Sequence, residues 1–332
     1  MKRKLFLIIL LIAASAFIFA AGGAESNAKY SAIMGSSSLG GTWYPTACRM
    51  AGVAMQYGGI TVTVQSSGGG TENVRLMRQN QYQMGLVEPN IANYAYRGEQ
   101  IFRSDGKYDN LSFVMNLYPN VVAAVVMKSG PIMTMYDYNP EKNGGKKYGF
   151  APGSPGSGDE FCWEEIFSVY GANKQNINWK PSSHAERVSS FKDRILEGIG
   201  YQTAQPSGSI TEAAALTPIR ILEIKGRERE EIIRQFPWYS PAKVPAGMYN
   251  GQDTEVETIA LGGYVLANKD LSGDLVYKYL DSVLGKGLKD VQNVATATKE
   301  ITLENALKGN ESFAIPLHPG AERYFKEKGL IN

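Results

Sequence analysis

The chain holds only two cysteines and two histidines, and its 34 basic residues nearly balance its 32 acidic ones. Each shortage excludes something. A Ser–His–acid triad would have to use His184, in a helix-capping segment, or His318, between Leu317 and Pro319, and neither has a local sequence partner that would orient it. Metal signatures are missing: there is no H-E-x-x-H, no pair of cysteines at zinc spacing and no EF-hand loop. Neither glycine-rich loop ends in the Lys-Ser/Thr of a P-loop, and the first lacks G-x-G-x-x-G order. No cofactor, no metal site and no catalytic residues are therefore expected. The charge balance argues against nucleic acid or an anionic membrane surface as partner. Internal repeats and low-complexity segments are also absent.

The two cysteines, Cys48 and Cys162, each fall in the second turn after one of two glycine-rich loops, on what are expected to be different domains. A bridge would lock those domains together, so both are expected to be small buried hydrophobes rather than a disulfide. At the N-terminus, M-K-R-K precedes an apolar run from Leu5 to Ala21 and then small residues, the order of a secretory signal peptide over residues 1–24. The alternative is a membrane anchor, because the run is close to the ~18 residues that a span needs. Small residues at Ala20 to Ala24 and no following charge cluster favour cleavage, and no cysteine is placed for a lipid anchor. Losing Lys2, Arg3 and Lys4 leaves 31 basic residues against 32 acidic ones. The protein is expected to be periplasmic or otherwise extracytoplasmic, and monomeric.

What is present is glycine, serine and short apolar runs. With 332 residues and 43% apolar content, the chain exceeds what one core usually supports, so two domains are expected. Gly35 to Pro45 reads G-S-S-S-L-G-G-T-W-Y-P, and Gly153 to Glu160 reads G-S-P-G-S-G-D-E. Each follows a short apolar run and opens a helical pattern, so backbone N–H groups and hydroxyls gather where a helix dipole favours an anion. A third polar turn, S-S-G-G-G-T-E-N, follows the alternating Ile60–Val64.

Strand, glycine-rich turn and helix in succession predict α/β organisation. Further strands are expected at Met84–Val87, Leu111–Leu117, Val121–Met127, Tyr148–Ala151, Ile219–Ile224 and Ile259–Ala267, with 237–251 a structured loop. Ser157 with Glu160, and Ser183 with Glu186, form capping-box patterns before helical faces built on Trp163, Ile166, Phe167 and Tyr170, and on Val188, Phe191 and Ile195.

A hydrolase would place its nucleophile at Ser154 or Ser157, but the triad partners are not legible. A binding protein fits better. Helix mouths can hold a carboxylate without a buried cation, an amino group would need acceptors such as Glu88 or Gln202, and Trp43 with Tyr44 offers an aromatic wall.

The successive stretches G-S-S-S-L-G-G-T-W-Y-P, S-G-G-G-T-E-N-V-R-L, G-F-A-P-G-S-P-G-S-G, V-P-A-G-M-Y-N-G-Q-D-T-E-V-E-T and I-P-L-H-P-G-A resemble, in order from about Tyr30 to Gly329, the motifs of the TAXI-type solute receptors of TRAP transporters. The resemblance implies a periplasmic-binding-protein fold of two α/β domains joined by crossing strands with a ligand cleft between them. Residues 29–118 and 258–332 would form domain I, and 119–257 domain II. It also implies capture of a small organic acid or amino acid such as glutamate, for delivery to membrane subunits that run without ATP. Carried over by position, Ser37, Thr42 and Tyr44, then Ser67 and Asn73, then Ser154, Ser157 and Gly158 would contact ligand. Three positions depart from the pattern: Gly70 replaces Ser, Asp159 replaces Thr, and Ile199–Tyr201 replaces I-D-A. A ligand-sensing receptor that docks to a signalling protein would use the same cleft.

Overall fold

The computed structural model describes residues 30–39, 41–310 and 315–332. The expected signal peptide over 1–24 and Gly40 of the first loop lie outside the described residues. The described strands are β1 Ser31–Gly35, β2 Thr61–Gln65, β3 Met84–Val87, β4 Leu111–Asn116, β5 Asn120–Met127, β6 Gly149–Ala151, β7 Asn178–Trp179, β8 Gly198–Thr203, β9 Ile219–Leu222, β10 Tyr239–Val244, β11 Val256–Leu261 and β12 Tyr264–Asn268.

They make two sheets. The first runs β2-β1-β3-β12-β4, and the second runs β10-β11-β5-β8-β6-β7 with β9 also paired to β5. In the first sheet β1 is parallel to β2 and β3, as the helical crossovers Trp43–Gly58 and Gly70–Arg78 require. The Trp43–Gly58 helix buries Trp43, Ala47, Met50, Val53 and Ala54 at helical spacing and stops at Gly59, whose φ of 63° suits glycine. Its outward face carries Cys48, which is exposed. That corrects the expectation of a buried thiol there, because the next residue along a helix turns about 100° from the buried Ala47. Cys162 is buried, and both thiols are free.

β5 is the spine of the second sheet, pairing antiparallel with β8, β9 and β11. One face packs on Phe150, Trp163, Phe167 and their neighbours, the other on Phe191, Ile199, Tyr201 and Ile210. Ile195 corrects the expected helix face: the helix ends at Lys192, and Ile195 is 67% exposed. Residues 237–251 contain β10, and its Pro241 is tolerated because β10 is an edge strand.

The single strand expected at Ile259–Ala267 is two strands in different sheets, and the chain crosses between them at Gly262 and Gly263. A Cβ at Gly262 would stand 2.6 Å from Asn116 Oδ1, and one at Gly263 2.7 Å from Trp43 Cζ2. The other crossing is Leu117–Pro119, and the two are tied where Leu117 N donates to Gly263 O at 2.8 Å. β11 spans the expected boundary at 257 and pairs wholly within the second sheet. The C-terminal helices Gly273–Asp281 and Pro319–Glu327 return to pack on the first sheet. No described helix is long and apolar enough to cross a membrane.

Candidate functional site

Loops leaving the carboxyl ends of β1, β2 and β3 face loops leaving β6 and β8, the position where open α/β sheets bind ligands. They line a half-open cavity of about 90 Å³. Of the residues singled out in the sequence, Ser37, Thr42, Glu88, Ser154, Ser157 and Gln202 line it together, as do Trp43, Asp159 and His184. Tyr44, Ser67, Asn73 and Gly158 do not.

The reasons are local. Asn73 is fully buried, and its Nδ2 donates to Ser36 O at 2.8 Å and Leu86 O at 2.7 Å, so it pins the first loop to β3. Ser67 Oγ donates to Ser36 O and accepts from Gly69 N, both at 3.2 Å. Tyr44 sits beside the exposed Cys48, away from the cavity. Thr42 stays at the site because Tyr118, on the crossing segment, donates to its Oγ1 at 3.0 Å.

Gly158 acts through Glu88. Glu88 caps the Pro89–Arg97 helix and is 7% exposed. Its carboxyl lies between the first residues of the Gly70–Arg78 and Gly158–Val169 helices, one from each domain. A Cβ at Gly158 would come 2.6 Å from Oε1, and one at Gly70 would collide with Oε2. Gly70, the first departure, therefore makes room for a protein carboxylate at a helix mouth. Burial pushes Glu88 up to about 7, the Asp159 charge adds to this, and nearby backbone N–H groups pull the other way.

The other two departures belong to one cluster centred on Arg187, which the sequence reading missed. Arg187 is 0% exposed. Its Nη2 meets Asp159 Oδ2 at 3.1 Å, its Nη1 donates to the carbonyls of Gly200 and Pro152, and its guanidinium lies 4.6 Å from the Tyr201 ring centroid. Asp159 is thus spoken for by a cation, and Tyr201 provides that cation's platform. Gly200 passes beneath Trp163, with no space for a side chain. The available signal was register: Arg187 directly precedes the inward Val188 in a helix opened by the Ser183–Glu186 capping box, which forms in full.

His184 has no local partner but approaches an acid across the fold, with Nε2 4.0 Å from Asp159 Oδ2. Its other ring nitrogen faces Ser209 Oγ at 3.5 Å rather than Ser154 or Ser157, and burial, aided by Arg187, pushes it down to about 3. A general base needs both reach and a pKa near the working pH, and His184 meets neither requirement. Ser157 Oγ accepts from Glu160 N as a helix cap, while Glu160 Oε2 takes Gly156 N, so only half of the expected box forms. His318 caps the last helix by accepting from Gly320 N at 3.1 Å.

Five side chains lining the cavity carry a buried polar atom with no hydrogen-bond partner among the described residues: donors at Trp43 Nε1, Asn120 Nδ2 and Arg187 Nε, acceptors at Glu88 Oε2 and Gln202 Oε1. Buried polar groups are normally paired, and these five put both donors and acceptors on the cavity wall. A larger cavity of about 510 Å³ lies in the second domain alone; of its charged residues Lys128 pairs with Asp253 and Lys225 with Glu223, while Arg220 donates to Ile132 O and Glu228 accepts from Tyr136. The domains meet again at buried Glu165, which accepts from Tyr94 at 2.8 Å and Asn90 at 3.4 Å on one side, and from Trp238 at 3.0 Å and Tyr239 at 2.5 Å on the other.

A family model described as the NMT1-like family matches residues 34–329. Among solved structures, the chain is similar to PhnD1 from Prochlorococcus marinus in complex with methylphosphonate, with a TM-score of 0.56 and 10% identity over 91% of this chain and 100% of that one. It is also similar to the periplasmic binding protein BugD, with a TM-score of 0.55 and 15% identity over 90% of this chain and 93% of that one. A structure described as a periplasmic transporter gives a TM-score of 0.55 and 16% identity over 89% and 91%. At these identities the likeness is one of fold: two α/β domains with a cleft between them.

Proposed function

The chain belongs to the NMT1-like family, and from that premise we propose that it is an extracytoplasmic solute-binding receptor of a TRAP transporter of the TAXI type. In this reading the protein is exported by its leader, captures a small organic acid or amino acid such as glutamate, and hands it to membrane subunits driven by an ion gradient. The observation that carries the reading is the meeting, along one half-open cleft, of unpartnered donors and acceptors from both domains and from Asn120 at the crossing.

The proposed ligand contacts are Ser37, Thr42, Glu88, Ser154, Ser157 and Gln202, together with Trp43, Asn120 and Arg187. Tyr44, Ser67, Asn73 and Gly158 support the loops behind them. The domains hinge at Leu117–Pro119 and Gly262–Gly263, so that a ligand touching both halves favours the closed form by its differential contacts.

A thermal-shift screen of the exported, processed protein against amino acids and mono- and dicarboxylates tests this. At ~100-fold saturation a ligand bound only by the folded state adds roughly 2.7 kcal/mol, a clear rise in Tm. Absence of any shift, together with absence of a co-purified small acid, would sink the receptor reading.

A further inference from the structure

We propose that Glu88 makes this cleft selective for a ligand carrying a protonated amine and excludes dianionic acids. The inference rests on the solute-receptor reading and names the ligand class for that same site.

The charges on the cavity wall do not cancel. Asp159 is held by Arg187 at 3.1 Å, which accounts for one charge of each sign. His184 is neutral at neutral pH, because burial and the neighbouring guanidinium both oppose its protonation. Glu88 is left without a cation: no salt bridge reaches it among the described residues, and its Oε2 is buried without a partner. A lone buried carboxylate is costly unless something pairs with it.

Steric detail shows that the carboxylate is built into the site. Both glycines that flank it, Gly70 and Gly158, lack the Cβ that would collide with it or crowd it, and they begin the two helices whose N-termini point at the cavity. The helix mouths expected to receive a ligand carboxylate therefore already face one from the protein. A ligand ammonium at Glu88, with Gln202 Oε1 as a second acceptor, satisfies the two orphaned acceptors at once. The ligand's own carboxylate is left for Trp43 Nε1, Asn120 Nδ2 and Arg187 Nε. A dicarboxylate without an amine places a second negative charge against Glu88, and like charges in a shared low-dielectric site repel strongly.

Calorimetric titration with matched pairs tests the assignment: L-glutamate against glutarate, and L-alanine against propionate. The amino member of at least one pair is expected to bind at least about tenfold more tightly, a difference of about 1.4 kcal/mol. Glu88→Gln is expected to bring the two members of that pair together by weakening the amino compound and sparing the plain acid. Gly70→Ser, which displaces the carboxylate without removing it, is expected to reduce the preference in the same direction, and it keeps the test alive if Glu88→Gln does not fold. Binding of the plain acid as tightly as, or more tightly than, its amino partner in both pairs overturns the inference and leaves the receptor reading standing, as does an equal loss for both members in Glu88→Gln and Gly70→Ser. Failure of every amino compound and every acid to bind overturns both.

Discussion

The two halves of the cleft solve the same problem with different materials. On the first-domain side, Ser36, Ser37, Ser67 and Gly69 hold one another through backbone and hydroxyl bonds, and a single carboxylate, Glu88, projects from a helix cap with no cation beside it. On the second-domain side, a fully buried guanidinium organises Asp159, Tyr201 and the carbonyls of Gly200 and Pro152. The first half is a rigid frame left electrostatically open, and the second is a closed ion-pair cluster. Ligand chemistry should therefore be decided at the open half, and folding energy stored at the closed one.

Breaking the cluster is the largest effect that this contrast predicts. Arg187→Met removes the cation and leaves Asp159 a buried charge without a counter-ion, at a cost of roughly 3–5 kcal/mol in urea unfolding. Adding Asp159→Thr to it removes the stranded charge and should recover at least about half of that loss, since replacing a whole buried pair is far less damaging than removing one member. A cost below about 1 kcal/mol for Arg187→Met alone would mean that the second half is no more integral to the fold than the first.

This difference also decides what could be read from the residues in order. The frame of the first half is local: glycines, hydroxyls and a following helix lie within one stretch, so Ser37, Thr42 and the turn at Ser67 were legible, although Ser67 and Asn73 serve the loop and not the cavity. The α/β succession and most strands were legible for the same reason, being written in short apolar runs. Arg187 was not, because its partner is 28 residues away and its helix looks like an ordinary capped surface helix until Asp159 folds against it. Asp159 and Tyr201 therefore looked like unexplained departures. Gly70 was a departure of the same sort, explained only when Glu88, 18 positions on, occupies the space of its missing side chain. The break at Gly262–Gly263 escaped notice because two apolar strands flank it, and only the steric demands of Asn116 and Trp43 show why glycine stands there.

The open half should reveal itself through pH. Glu88 titrates near 7 in the folded protein, above the value of about 4.3 for an unfolded glutamate, so the folded state binds the proton more tightly. Its contribution is complete at low pH and is lost as pH rises from about 4.3 through 7, on the order of 3–4 kcal/mol across that window. Buried Glu165, pushed up to about 7 by burial against the pull of its four donors, adds a slope of the same sign. Ligand-free protein should therefore grow less stable between pH 5 and 7 in urea titrations, over and above its other ionisations. Glu88→Gln should remove part of the slope and Glu165→Gln another part. A slope untouched by Glu88→Gln would contradict the picture of an uncompensated carboxylate.

The smallest effect separates frame from contact within a single loop. Ser154 and Ser157 both line the cavity, but only Ser157 also caps the Gly158–Val169 helix, by accepting from Glu160 N at 3.3 Å. Ser157→Ala should cost about 1 kcal/mol of stability through the lost cap, whereas Ser154→Ala should stay within about 0.5 kcal/mol of the parent. Both should weaken binding of whichever compound raises Tm in the ligand screen, each by several-fold, the effect of one hydrogen bond worth about 1 kcal/mol. Affinity falling with Ser157→Ala but not with Ser154→Ala would mean that this loop acts on the ligand only through the helix it starts. The second domain would then contribute through Arg187 and Gln202 alone, and the two halves would differ even more than their geometry implies.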